Sequence, residues 1–188
     1  MKILNRLLLH LKKLFQYHIV GIEAGDAMMK AAAVDLQTAQ PVCAGKFIVI
    51  VTGDVAAVRA SMEAGVEVAG GKLVDSMMIP NIDEQVPTAI NACSEIHLED
   101  GAVGIMETFS LCAAVLAADQ AVKAADVHLT EVRLGRGLCG KAFIILTGDV
   151  AAVEAAVQAA EELEEVQGLM SQSAVIPSAH PDILKAIL

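Results

Sequence analysis

Thr52-Gly53-Asp54-Val55-Ala56-Ala57-Val58 recurs, residue for residue, at Thr147-Gly148-Asp149-Val150-Ala151-Ala152-Val153. Each copy follows an apolar run, Phe47-Ile48-Val49-Ile50-Val51 or Phe143-Ile144-Ile145-Leu146, and each opens an alanine-rich stretch. A Gly-Lys pair stands at or just before each run, at Gly45-Lys46 and Gly140-Lys141. Identical heptads in the same context mark an internal duplication, so the chain reads as two copies of one small unit. Within a copy the β-branched run predicts a buried strand and the alanines after it a helix. Asp54 and Asp149 stand where a carboxylate can N-cap that helix.

The neighbouring elements follow from the same comparison. In the first copy, residues 24–34 read as a helix supported by Asp26 and Lys30 at i and i+4. Strands are expected over Asp35–Val42 and Lys46–Thr52, joined by a loop at Pro41-Val42-Cys43-Ala44-Gly45. The helix over Val55–Ala69 stops at Gly70-Gly71, residues 73–79 read as a strand ended by Pro80, and residues 83–92 as a short helix. The second copy repeats this order. Asp119 stands 93 residues after Asp26, while Gly140 stands 95 after Gly45, so the second loop is two residues longer. That loop, Leu134-Gly135-Arg136-Gly137-Leu138-Cys139-Gly140, is rich in glycine. The second copy also opens with a strand, Ala102-Val103-Gly104-Ile105-Met106-Glu107, and closes with one ending at Pro177 and a short helix over 181–188. The first copy has no such opening strand in its sequence: either it is lost, or unrelated residues form it.

Residues 1–20 differ from the rest. Leu4, Leu7, Leu8, Leu11, Leu14 and Phe15 recur at helical spacing beside Arg6, His10, Lys12 and Lys13. This predicts a basic amphipathic helix, which can cover an apolar patch of its own chain, lie on a membrane surface or enter a partner's groove. Three segments result: 1–20, an atypical N-terminal stretch; 21–97, a first repeat with its opening strand atypical or missing; and 98–188, a second repeat.

Composition narrows the function. The 188 residues are 55% hydrophobic but 3% aromatic, with no Trp, a pattern of small side chains suited to close packing and assembly. Mean hydropathy is +0.58, yet no run of about 18 apolar residues exists to span a membrane. A formal charge of −10 argues against nucleic acid as a partner. The four cysteines, Cys43, Cys93, Cys112 and Cys139, show no CxxC spacing and follow no secretory signal, which fits thiols in a reducing cytoplasm. No Ser/His/Asp grouping repeats, and His97, His128 and His180 have no partner at metal-ligand spacing, so an enzyme is not expected. A regulatory protein that holds a small anion at Gly45-Lys46 and Gly140-Lys141 is one alternative. On its own residues, Cys43 is either a plain loop thiol or a ligand.

Taken together, the strand Val103-Gly104-Ile105-Met106-Glu107, the helix at 117–127, the Gly-Lys strands, the TGDVAAV helices and the strands ending Ile-Pro resemble the bacterial microcompartment shell proteins. The resemblance covers about residues 21–188 and points to the tandem-domain class that forms trimers. Within that class it is similar to the propanediol-utilisation type with an iron–sulfur site at its pore. The matching residues include Glu23-Ala24-Gly25-Asp26-Ala27-Met28, Val42-Cys43-Ala44-Gly45-Lys46-Phe47 and Leu73-Val74-Asp75-Ser76. The fold so implied is α/β, of α+β layout: two tandem units, each a four-stranded, mainly antiparallel sheet flanked by helices, with three chains forming a pseudohexamer.

The resemblance further implies a structural shell subunit in the bacterial cytoplasm, partnered by neighbouring shell proteins and by a lumenal or cytosolic redox partner. Pro41, Val42, Cys43, Ala44 and Gly45 of one loop, with Gly135, Arg136, Gly137 and Leu138 of the other, would line a central pore. Three copies of Cys43 would hold one [4Fe–4S] cluster per trimer. Ala44 departs from the proline that the family places there. Lys30 and Lys123 would lie at the tile edge, where a neighbour's carbonyls can accept from them. A cofactor-free tile that conducts small metabolites is the other reading of the same fold.

Overall fold

A computed structural model of the chain describes residues 10–15 (by their backbone), 17–42, 45–94, 101–135 and 137–187. They fall into two compact units, Met1–Ile82 and Asp83–Leu188.

In the first unit the deepest element is β3, Lys46–Thr52, in which Ile48, Val49, Ile50 and Val51 are buried. Such a run cannot face water on either side, so it takes the centre of a three-stranded antiparallel sheet of order β1-β3-β2. The partners are β1, His10–Phe15, and β2, Asp35–Val42. Helices α1, His18–Ala31, and α2, Val55–Ala69, pack against each other and the sheet, and Ala24, Met28, Phe47, Val49, Val51 and Ala69 form the core. Gly65 lets the helices approach: a Cβ there would stand 2.5 Å from Met28 Cγ.

The second unit contains α3, Gln85–Ile90; β4, Ala102–Thr108; α4, Leu111–Ala124; β5, His128–Leu134; β6, Ala142–Gly148; α5, Val150–Glu162; β7, Met170–Pro177; and α6, Pro181–Ile187. Its sheet has four antiparallel strands in the order β5-β6-β4-β7. Counterparts agree closely: β2-β3-β1 has the order of β5-β6-β4, and a register shift falls at Leu36/Thr38 and again at Leu129/Glu131. The turns after Pro80 and Pro177 also repeat, with Asn81 and Ser178 each at positive φ, 55° and 50°.

Four expectations change. The helical periodicity before residue 20 does not decide the fold there: His10–Phe15 is a strand antiparallel to β3, at the place that β4 holds in the second unit. An open edge on a buried strand presents unpaired N–H and C=O groups, and their pairing outweighs a propensity difference of a few tenths of a kcal/mol per residue. The following helix starts at His18 rather than residue 24.

Residues 73–79 are not a strand. Leu73, Ser76 and Ile79 make isolated bridges after a 3-10 turn at Gly70–Lys72. The reason lies in β1. Residues of β4 pair without a break with β6, and Val103 faces Thr147, which would put His10 opposite Thr52; instead His10 faces Val51, and the register shifts between Lys12 and Phe15. A one-residue slip reverses which face each position presents. The regular ladder that β4 offers β7 thus has no equivalent in the first unit, and its sheet stops at three strands among the described residues. Finally, Asp54 and Asp149 hold the N-cap positions, but neither carboxylate makes a cap hydrogen bond; their carbonyls accept from Val58 and Val153 at 2.8 and 2.9 Å.

Gly104 of β4 lies close under α5 and beside Leu146 of β6. A Cβ on it would stand 2.7 Å from Leu146 Cδ1 and 2.9 Å from Val153 Cγ1, both on fully buried residues. Gly104→Val is expected to lower stability by about 1–3 kcal/mol, read as a reduced midpoint in urea unfolding.

Candidate functional site

The two loops singled out by sequence are the β2–β3 and β5–β6 connections. In the first, Pro41 faces Phe47 and Val42 faces Lys46 as the last pairs of the ladder. Three chain positions, 43–45, separate Val42 from Lys46, and of these Gly45 is described, exposed, with φ 70°. A Cβ on Gly45 would meet no atom within 4 Å, so the turn borders open space. Pro41 is exposed and Val42 buried. Cys43 and Ala44, two of the expected pore residues, lie outside the described residues, as does Arg136 of the second loop.

The second loop is built on left-handed backbone. Gly135 and Gly137 both have φ 70°, Gly140 has φ 88°, and Cys139, a non-glycine, is held at φ 50°. Gly135 N–H donates to Lys141 O at 3.1 Å, and Lys141 N–H to Leu138 O at 2.9 Å, which closes the turn. Gly137 is exposed and Leu138 half-buried. The first loop lies in the first unit and the second loop in the second.

Beside Leu138 is a feature that motif reading missed. Glu107, Arg133, Leu138, Phe143, Ala186 and Ile187 line an open cleft of about 380 Å³. Lys141 Nζ pairs with Glu107 at 3.0 Å and sits 5.3 Å over the Phe109 ring. The charge of Lys141 is therefore met by a carboxylate, which works against its service as an anion site. Arg133 is fixed from three sides: two hydrogen bonds to Glu131 at 2.7 and 2.8 Å, one to the Ile187 carbonyl at 3.0 Å, and its stacking 5.9 Å over Phe143. Only tertiary structure brings residue 187 to β5, and nothing in the sequence marks it.

Lys30 and Lys123 both reach back to an aspartate one turn earlier, Asp26 and Asp119, at 2.5 Å. The two pairs differ in setting: Asp26 is well exposed, whereas Asp119 is buried and also accepts from Asp83 N–H at 2.8 Å. Among the described cysteines, Cys93 and Cys139 are exposed and Cys112 is buried on α4. Among the described residues no group of three His, Cys, Asp or Glu side chains stands close enough to hold a metal ion. No described helix is long and apolar enough to cross a membrane.

Comparison with known proteins can now be set beside this geometry. The BMC domain family matches twice, at residues 15–82 and 102–179. The chain belongs to the BMC-domain family of microcompartment shell proteins. It is 40% identical over 168 residues to the bacterial microcompartment shell protein PduT of Citrobacter freundii, covering 89% of this chain and 91% of that one. It is 31% identical to the carboxysome assembly protein CcmO of a Synechocystis strain, over 88% of this chain and 59% of the relative. Among solved structures, a microcompartment protein from Desulfitobacterium hafniense superposes with a TM-score of 0.89 at 46% identity, over 96% of this chain and 98% of that one. The fused permuted hexameric shell protein of the RMM microcompartment, at 23% identity and a TM-score of 0.60, over 86% of this chain and 83% of that one, shares the fold. The first match begins at residue 15, inside the last positions of β1, while the second begins with β4 itself. The sequence departure at the N-terminus thus coincides with the register slip.

Arg133 is expected to pin α6 rather than to stabilise the unit as a whole. Arg133→Ala should speed amide exchange across residues 182–187 by at least about tenfold, equivalent to ~1.4 kcal/mol of local stability, with a much smaller change in the global unfolding midpoint.

Proposed function

We propose that this chain is a structural tile of a microcompartment shell in the bacterial cytoplasm, and that three copies close into a pseudohexamer around a pore. The observation that carries it is the double BMC-domain match along one chain, together with the near full-length likeness to a shell protein. Two units per chain and three chains give six units in a ring, the count at which the β2–β3 and β5–β6 loops alternate around the centre. The family's role is structural and not catalytic, and the repeated surface is for assembly with neighbouring shell proteins. Lys30 and Lys123, each on the last turn of its helix, are the tile-edge contacts in this reading.

The pore, in the same reading, holds one [4Fe–4S] cluster on three Cys43 thiolates, one from each chain. Thiolate sulfur is the donor such clusters take, and one cysteine per chain meets the need only through threefold symmetry. The open space around the exposed Gly45 turn leaves room for a group at the loop end. When bound, the cluster would supply a one-electron store for redox exchange across the shell with a lumenal or cytosolic partner. The chain's own part is to hold the loop: Val42 and Lys46 close the ladder at its base, and the buried Phe47 anchors β3 directly behind it. In the second loop Leu138 stands two residues before the Gly-Lys pair, where the first loop has Cys43, and Cys139 lies one place later, so the Cys43 donors occur at alternate positions of the ring.

Anaerobic reconstitution with iron and sulfide should give brown protein with about four iron atoms per three chains. Cys43→Ser should lose the colour and the iron while the assembled mass is unchanged. A reconstituted protein that binds no iron leaves the cofactor-free tile as the reading. Lys30→Ala combined with Lys123→Ala should abolish extended sheets in electron micrographs without changing the mass of the ring.

A further inference from the structure

The open cleft beside Leu138 lies wholly within the second unit, and neither the ring nor the cluster proposed above calls for it. Its volume of about 380 Å³ and its apolar wall with two polar side chains are those of a small-molecule site. The polar pair is held in place beforehand. Arg133 donates from Nε and twice from Nη2, to both Glu131 oxygens and to the Ile187 carbonyl, so three of its five N–H groups are used. The two on Nη1 have no partner among the described residues. Glu107 accepts from Lys141 at Oε2, which leaves Oε1 without a partner among the same residues. A fixed donor and a fixed acceptor thus remain beside Leu138, Phe143, Ala186 and Ile187. A guanidinium already held by three bonds loses little freedom when it binds a further group.

The first unit lacks these side chains. Position for position on the two ladders, Thr38 stands for Glu131, Gln40 for Arg133 and Ile48 for Phe143. The cation, its carboxylate and the ring under it are replaced together, while the strands that carry them pair alike. Strand pairing therefore does not require the three residues. Pinning α6 uses a single N–H of Arg133 and leaves Glu107 and the two Nη1 protons without a purpose.

We propose that this cleft binds a small uncharged molecule with a short apolar body and a head group, such as a primary amide, that both accepts and donates hydrogen bonds. The head-group oxygen accepts from Arg133 Nη1 and its N–H donates to Glu107 Oε1, while the body lies on Phe143, Leu138 and Ile187. Charge sets the class. Arg133 is matched by Glu131 and Lys141 by Glu107, so the four charges cancel. An ion entering the cleft would give up hydration and meet a carboxylate beside each cation, with no net attraction in return. A neutral head group loses far less hydration and still finds both partners.

The test is a methyl NMR titration of the full chain, with butanamide as the neutral probe and butyrate and butylammonium as charged probes of the same carbon skeleton. Butanamide should shift the Leu138 and Ile187 methyl signals to saturation, and both ions should act far more weakly. Ala186→Leu alters an exposed helix residue and narrows the cleft, so it should remove the butanamide response while circular dichroism is unchanged. Glu107→Gln leaves Lys141 unpaired and the lining net positive, so butyrate should bind about fivefold more tightly. Butanamide should be little affected by that change, because the glutamine carbonyl still accepts. Signals that do not saturate with butanamide, or that respond as fully in Ala186→Leu, overturn the site. An ion that binds the unaltered chain as tightly as butanamide, or a Glu107→Gln chain with no gain for butyrate, overturns the ligand class. None of these readouts depends on how many copies assemble.

Discussion

The packing of β3 and β6, each sandwiched between two other strands and covered by helices, is the constraint on which each unit depends. Ile48 to Val51 and Ile144 to Leu146 are all at or near zero exposure, so every other element is placed by what must cover them. Hydrophobic burial fixes the central position, and backbone pairing then fixes direction and register on both sides. The loops at the start of these strands are carried as the ends of rigid ladders.

The two units meet this constraint with unequal success. In the second, β4 runs in continuous register with β6 and recruits β7, giving four strands. In the first, the segment HLKKLF occupies the same place with a slipped register, and the last strand is reduced to isolated bridges. A buried strand will take an available partner, even one whose side-chain pattern was not built for it, because an unpaired backbone costs more than an imperfect one. The family match that starts only at residue 15 marks the same boundary from sequence.

Much of the fold was legible in the chain. The repeated heptad, the β-branched runs and the Gly-Gly stop placed Asp35–Val42, Lys46–Thr52 and Val55–Ala69 with the bounds the structure has. These are cases where local propensity, periodicity and turn chemistry agree. They disagreed at residues 10–15, where periodicity favoured a helix and the open edge of β3 required a strand. They were insufficient at 73–79, whose strand-like composition had no regular partner. In the candidate loops the glycines take left-handed backbone, which that residue type allows, and the aspartate–lysine pairs form because i,i+4 spacing is local.

What the sequence determined by itself is the duplication, the class of fold and the asymmetry between the two loops, since all three are written in residues close together along the chain. Tertiary structure alone decided that the residues after the first repeat serve the second unit, that Asp119 is covered while Asp26 is bare, and that Arg133 holds residue 187. Those facts join positions tens of residues apart. No period or motif links such positions, because they are brought together by the burial of the sheet between them.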